Sequence, residues 1–259
     1  MWIRLRQIAL VARDLDQITK DLHDVLGLEV GFRDPGVKVF GLQNALFPVG
    51  SQFIEVVSPI KEGTAGGRYL ERRAGDGGYM VITQCDDHAP RKKRVNELGI
   101  RKVLEQDEPE YCIMQLHPRD TGGSFLEIDF QGGDLSPDGP WMPAGRNWKP
   151  AVRTHIVRAI AAAELQSPDP AGLASRWSQI VEIPVTRDPQ GNPAIRLENA
   201  TLRFVKDEDG RGEGLAGLDL VATDRKAMFA NAERYAKRAS DDIVMISGMR
   251  LRAVDGATG

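Results

Sequence analysis

Cysteine, aromatic side chains and long apolar runs are all scarce in this 259-residue sequence. Cys85 and Cys112 are its only two cysteines, too few for a disulfide framework, and their separation matches no metal-ligand spacing. Each sits in an apolar, strand-like run, so both read as reduced core thiols of a cytoplasmic chain. No stretch approaches the roughly 20 apolar residues of a membrane-spanning helix. Residues 1–10 alternate charged and apolar side chains, which is not the pattern of a secretory leader. Neither sign of charge is in excess: 34 Lys and Arg against 37 Asp and Glu leave a net charge of -3. A global positive field of the kind that holds nucleic acid is therefore missing. What is present is ordinary globular composition, 41% hydrophobic, long enough for one large domain or two modest ones.

The chain repeats itself. At an offset of 72–73, the segment 7–14 (QIALVARD) returns as 80–87 (MVITQCDD), Leu26-Gly27-Leu28 returns as Leu98-Gly99-Ile100, and 53–56 (FIEV) returns as 125–128 (FLEI). Each copy reads as a strand ending in an acidic cap, an amphipathic helix, a Leu-Gly stop, and further strands parted by Gly and Pro turns. In the first copy Ile18, Leu22, Val25 and Leu26 form the helical stripe. A breaker-rich stretch at 132–150, pinned by Trp141 and Trp148, reads as a linker. Beyond it, Asp169, Leu173 and Trp177 echo Asp14, Ile18 and Leu22, with strands expected at 194–197 and 201–205. A fourth unit runs from Leu215: a strand at 218–222, an Asp224 cap, a helix through Met228, Ala232 and Tyr235, and strands at 243–246 and 249–254. The expected division is 1–131 as two paired modules, 132–150 as linker and 151–259 as a divergent second pair.

These segments, together with the run 117–127 (HPRDTGGSFLE), resemble the vicinal oxygen chelate superfamily of glyoxalases, bleomycin-resistance proteins and dioxygenases; 117–127 in particular resembles the closing strands of methylmalonyl-CoA epimerases. The resemblance implies an α+β fold of tandem βαβββ modules whose curved mixed sheets surround a cavity. It also implies a metal held by one residue from the first and one from the last strand of each paired module. Those places fall here on Gln7, Glu55, Met80 and Glu127. Both places where histidine is usual carry something else. A glutamine still offers oxygen, whereas a thioether is a poor ligand for a hard cation and foreign to an ordinary zinc site. The expectation is no metal, or a divalent cation such as magnesium, manganese or iron in preference to zinc, held by Gln7, Glu55 and Glu127.

Strand alternation singles out the glutamates independently. Phe53, Glu55 and Val57 share one face of their strand, as do Phe125, Glu127 and Asp129. If the modules pair by approximate two-fold symmetry, two carboxylates converge, and like charges in a low dielectric demand a cation, a basic partner or a proton. Glu55 and Glu127 are thus the candidate acid/base pair, joined by His117 at the end of a strand, although a turn histidine bonded to nearby backbone is an equal reading. Candidate substrate contacts are Gln7, Asn44, Tyr79 and Arg119; a turn asparagine, a core tyrosine and an exposed turn arginine are the plainer alternatives. His23, His88 and His155 receive no role. The glycine-rich stretches 63–67 and 75–78 lack the surroundings of a phosphate loop and read as a mobile connector or lid. The function expected is a glyoxalase-like isomerase or lyase acting on a small carbonyl, acyl or enolisable compound, as a monomer or homodimer without nucleic-acid or membrane partners. The alternative is a non-catalytic protein that sequesters a small molecule, as resistance proteins do.

Overall fold

A computed structural model describes residues 1–256. Strands β1 (Ile3–Val11), β2 (Leu42–Val49), β3 (Gln52–Pro59), β4 (Gly77–Cys85), β5 (Lys102–Asp107), β6 (Tyr111–Leu116) and β7 (Phe125–Gln131) form one mixed sheet, in the order β2-β3-β1-β4-β7-β6-β5. A second mixed sheet holds β8 (Val157–Ser167), β9 (Thr186–Arg187), β10 (Pro193–Arg196), β11 (Thr201–Lys206), β12 (Gly214–Ala222), β13 (Ile243–Ile246) and β14 (Met249–Val254), in the order β13-β14-β12-β8-β11-β10-β9. Helices α1 (Leu15–Leu26), α2 (Ala65–Arg72), α3 (His88–Glu97), α4 (Pro118–Thr121), α5 (Pro170–Val181) and α6 (Arg225–Arg234) interleave with them. The class is α+β, built of tandem modules.

Four aspartates start the four module helices. Asp14, Asp87, Asp169 and Asp224 each turn a carboxylate back onto a backbone N–H of the first turn. Such a cap satisfies a donor that the helix itself leaves open and is worth about 1 kcal/mol. α1 stops at Gly27, whose φ of +68° suits glycine; any Cβ there would also lie 2.6 Å from His155 Nε2. Ile18, Leu22, Val25 and Leu26 are buried as the stripe requires. At roughly 1.5–3 kcal/mol per fully buried aliphatic side chain, that stripe holds the helix on its sheet.

The second and third modules each contribute four strands. In the second, β4 runs parallel to β7 (Ile82 opposite Glu127), and β7-β6-β5 is an antiparallel meander. The first and fourth contribute only three. Where a further strand was expected in the first, the sheet keeps one bridge, Phe32 to Leu46, and the chain then turns into a 3-10 helix at Pro35–Phe40. Pro35 and Gly36 explain the loss, since proline supplies no ladder donor and glycine weakens a strand. The fourth module has a matching bridge, Arg238 to Val244.

Part of the glycine-rich connector, read from composition as a loop or lid, is a packed helix. Thr64 caps α2 through Gly67 N, Tyr69 and Leu70 are buried, and Gly66 packs on Leu42, Val11 and Pro59. Gly77 and Gly78 already belong to β4.

The chain forms two compact units. One comprises Met1–Ile8, Tyr79–Met142 and Ala162–Leu215; within it α3 meets α5, Arg91 donating to Val181 O at 2.8 Å and Arg94 to Gln179 O at 2.8 Å. The other comprises Ala9–Gly78, Pro143–Ala161 and Ala216–Gly259; within it Lys237, just past α6, pairs with the buried Asp21 of α1 at 2.6 Å. The linker tryptophans are buried as expected: Trp148 meets Phe53 edge-on at 5.0 Å in the second unit, and Trp141 meets Tyr111 edge-on at 6.3 Å in the first. Among the described residues no helix is long and apolar enough to cross a membrane.

Candidate active site

Both glutamates are buried, Glu55 at 8% exposure and Glu127 at 3%. Each is held by an amide from the strand before it. Asn44 of β2 donates Nδ2 to Glu55 Oε1 at 2.6 Å, and Gln115 of β6 donates Nε2 to Glu127 Oε2 at 2.8 Å. Hairpin register produces both contacts. Gln115 lies directly opposite Glu127, while Asn44 is one same-face step from Leu46, the residue opposite Glu55. An amide N–H stabilises the ionised form of the carboxylate that accepts it and fixes its orientation.

Asn44 therefore orients a glutamate, and its own Oδ1 is taken by Asp34 N at 2.8 Å. Gln115 was missed in the sequence. The repeat would have found it, because it precedes Glu127 by 12 positions much as Asn44 precedes Glu55 by 11.

Asp129, two residues beyond Glu127 on the same face, is completely buried. Burial first, and then the adjacent Glu127 charge, hold its carboxyl well above the usual carboxylate range. The Tyr111 hydroxyl donates to Asp129 Oδ2 at 2.6 Å. On β7, burial and a neighbouring charge bias the Asp129 carboxyl toward its protonated form beside an amide-held Glu127.

Gln7 is buried and its Oε1 accepts the Trp141 indole N–H at 2.9 Å. Met80 is buried, with Gln115 Nε2 3.9 Å from its sulfur. This donor set does not fit the superfamily's usual metal. It has no imidazole, its glutamine oxygen is turned to an indole, its sulfur is a thioether, and one oxygen of each carboxylate already accepts an amide.

His117 caps α4, a short helix where a turn was expected. Its Nδ1 accepts from Arg119 N at 3.1 Å, and burial followed by the neighbouring Arg101 lowers its pKa. Arg119 is exposed. Tyr79 is buried against Phe125 at 5.0 Å, and its carbonyl accepts from the Ser124 hydroxyl at 3.0 Å. An open surface cleft of about 370 Å³ is lined by His23, Asp24, Glu29 and His155 among others, and by none of the residues singled out in the sequence.

The thiols divide. Cys85 is a core thiol, and burial pushes its pKa up to about 12. Cys112 is only half-buried, and the description as a core thiol fails for it. Its face of β6 looks toward His88 at the start of α3 and Asp107 at the end of β5, and the ligand atoms of the three lie within 4.8 Å of one another. Burial lowers the His88 pKa. Sequence spacing missed this group because three separate elements bring it together.

Tandem modules building two mixed sheets, the first with a glutamate on each closing strand, define a protein of the vicinal oxygen chelate fold. Residues 8–181 match the glyoxalase-like domain family, and the chain belongs to it. It is 27% identical over 135 residues to an ethylmalonyl-CoA/methylmalonyl-CoA epimerase of Cereibacter sphaeroides, spanning 49% of this chain and 96% of that one. Among solved structures, a hypothetical protein from Staphylococcus aureus superposes with a TM-score of 0.66 at 12% identity, covering 98% of this chain and 100% of the other. A triple mutant of 4-hydroxymandelate synthase from Streptomyces coelicolor superposes with a TM-score of 0.65 at 14% identity, covering 88% and 74%. These two likenesses are of fold.

Proposed function

We propose that the protein is an isomerase that moves a proton at the carbon next to a carbonyl, acting on a small enolisable acyl compound of the thioester type. The observation that carries this reading is the twice-repeated pairing of a buried glutamate with an amide donor, Asn44 with Glu55 and Gln115 with Glu127. An amide N–H favours the ionised form of the carboxylate that accepts it and fixes its orientation, which positions the group to take a proton from carbon. On β7, Asp129, whose carboxyl is held above the usual carboxylate range by burial and by the adjacent Glu127, supplies a second proton-carrying group beside the base. The epimerase relative supports the acyl-CoA class of substrate. The loss of imidazole at Gln7 and Met80 favours chemistry by carboxylates alone.

The test is proton exchange in heavy water. Wild-type protein is mixed with a panel of 2-substituted malonyl thioesters and simple ketones, and deuterium at the acidic carbon is followed by NMR. Catalysed exchange in one class, lost in E55Q and E127Q, is the expected result. The Gln7–Trp141 bond, which spends a family ligand position on internal packing, favours the second reading, a sequestering protein. Tight ligand binding with no exchange in any class decides for that reading.

A further inference from the structure

We propose that His88, Asp107 and Cys112 form a separate binding site for a borderline-soft divalent cation of the zinc class. This inference is independent of the proton-transfer reading and uses none of its residues. The geometry starts from His88, which is buried and whose Nε2 lies 3.2 Å from Ile128 O. A carbonyl oxygen only accepts, so Nε2 carries the N–H, and in the neutral ring favoured by burial Nδ1 keeps its lone pair. That lone pair faces Asp107 Oδ1 at 3.7 Å. The Cys112 sulfur lies within 4.8 Å of both, so three ligand atoms of different chemistry gather at one point.

A cation fits this gathering of ligand atoms. Ligand atoms about 2.1 Å from a metal and 3.7 Å from each other subtend roughly 124°, wider than the tetrahedral angle but within reach of it by a small rotation of the exposed Asp107. Nitrogen, carboxylate oxygen and sulfur together select zinc or cobalt over magnesium or calcium. The hydrogen bond from His88 to a backbone carbonyl is the outer support that fixes a metal-binding imidazole. Lys92 pairs with the other Asp107 oxygen, Oδ2, and leaves Oδ1 to the site. Cys112 Sγ now contacts Glu108 O at 3.4 Å as a thiol; on binding, the S–H bond breaks, its proton passes to water, and the thiolate takes the metal. Asp107 is half exposed, so a water can complete the fourth position. The bound ion would clip the start of α3 to the β5–β6 hairpin and, through Ile128, to the strand that carries Glu127.

Cobalt(II) is the probe. Full-length protein stripped with chelator is titrated with Co²⁺ and read by absorbance, alongside C112S, D107N and E127Q, with circular dichroism checking each fold. The expected result is one equivalent bound with a thiolate-to-cobalt charge-transfer band. That band disappears in C112S, and affinity in C112S and D107N falls by more than the roughly 10–100-fold that loss of an outer partner costs a metal site. Three results overturn the proposal: no stoichiometric uptake, uptake without the charge-transfer band, or uptake that survives C112S and is lost in E127Q.

Discussion

The closing strands of the first sheet carry Glu55 and Glu127, whereas the corresponding strands of the second sheet carry Arg203 and Arg252. The exchange is systematic. Arg203 lies directly opposite Glu164 of β8 and reaches its Oε2 at 2.9 Å, and Arg252 lies directly opposite Asp219 of β12 at 3.6 Å. The first-strand residue opposite Glu127 is Ile82. One scaffold position is thus solved in two ways. In the second sheet the polar residue on the closing strand faces a counter-charge across the ladder; in the first it is a carboxylate held by a neutral amide. An ion pair satisfies itself and resists change, while an amide-held carboxylate keeps its charge for chemistry. On the proposed reading, proton transfer belongs to the first sheet and a structural task to the second.

The largest effect that sharpens this contrast is on activity. E127Q and E55Q should each lower deuterium exchange by about 10²–10⁴-fold, the usual contribution of a positioned acid or base. Melting temperatures should stay near wild type, because glutamine keeps the shape and can still bond. Next in size is E164Q, which replaces the carboxylate that Arg203, only 12% exposed, reaches across the ladder. A loss of about 3 kcal/mol in urea unfolding is expected, with exchange activity per folded molecule unchanged. R203M combined with E164M should recover most of that loss.

Asp129 gives a pH signature. Its folded pKa is raised, so the folded state binds its proton more tightly than the unfolded chain does. Stability from this group is fully present below about pH 4 and is lost as pH rises toward the folded value. D129N should flatten that declining arm in a series of urea midpoints against pH, and an unchanged slope would count against a protonated Asp129. Smaller still, N44A and Q115A should each cost about 1.5–3 kcal/mol of charge-assisted hydrogen bonding and weaken exchange without abolishing it.

The parts of this structure visible in the sequence are those written in local chemistry. The four aspartate caps, the Leu-Gly stop and the alternation around Glu55 and Glu127 each depend on residues within a few positions of one another. What escaped depends on register or on crossing elements. Gln115 becomes the partner of Glu127 only once β6 and β7 pair in one alignment, since a shift of one residue would turn its amide to the other face. The helix α2 was hidden by glycines that composition reads as flexibility, although Gly66 is there because Val11, Leu42 and Pro59 approach its backbone closely. Arg203 and Arg252 stand in the repeat at the places of Glu55 and Glu127, and only their opposed carboxylates reveal what the substitution means.

The central claim is most directly tested by measuring isotope exchange and unfolding free energy in parallel on E127Q and E164Q. A stable but inactive E127Q beside a destabilised but active E164Q is the predicted outcome. An active E127Q, or an E164Q that folds as firmly as wild type and has lost exchange, would contradict the division of labour between the two sheets.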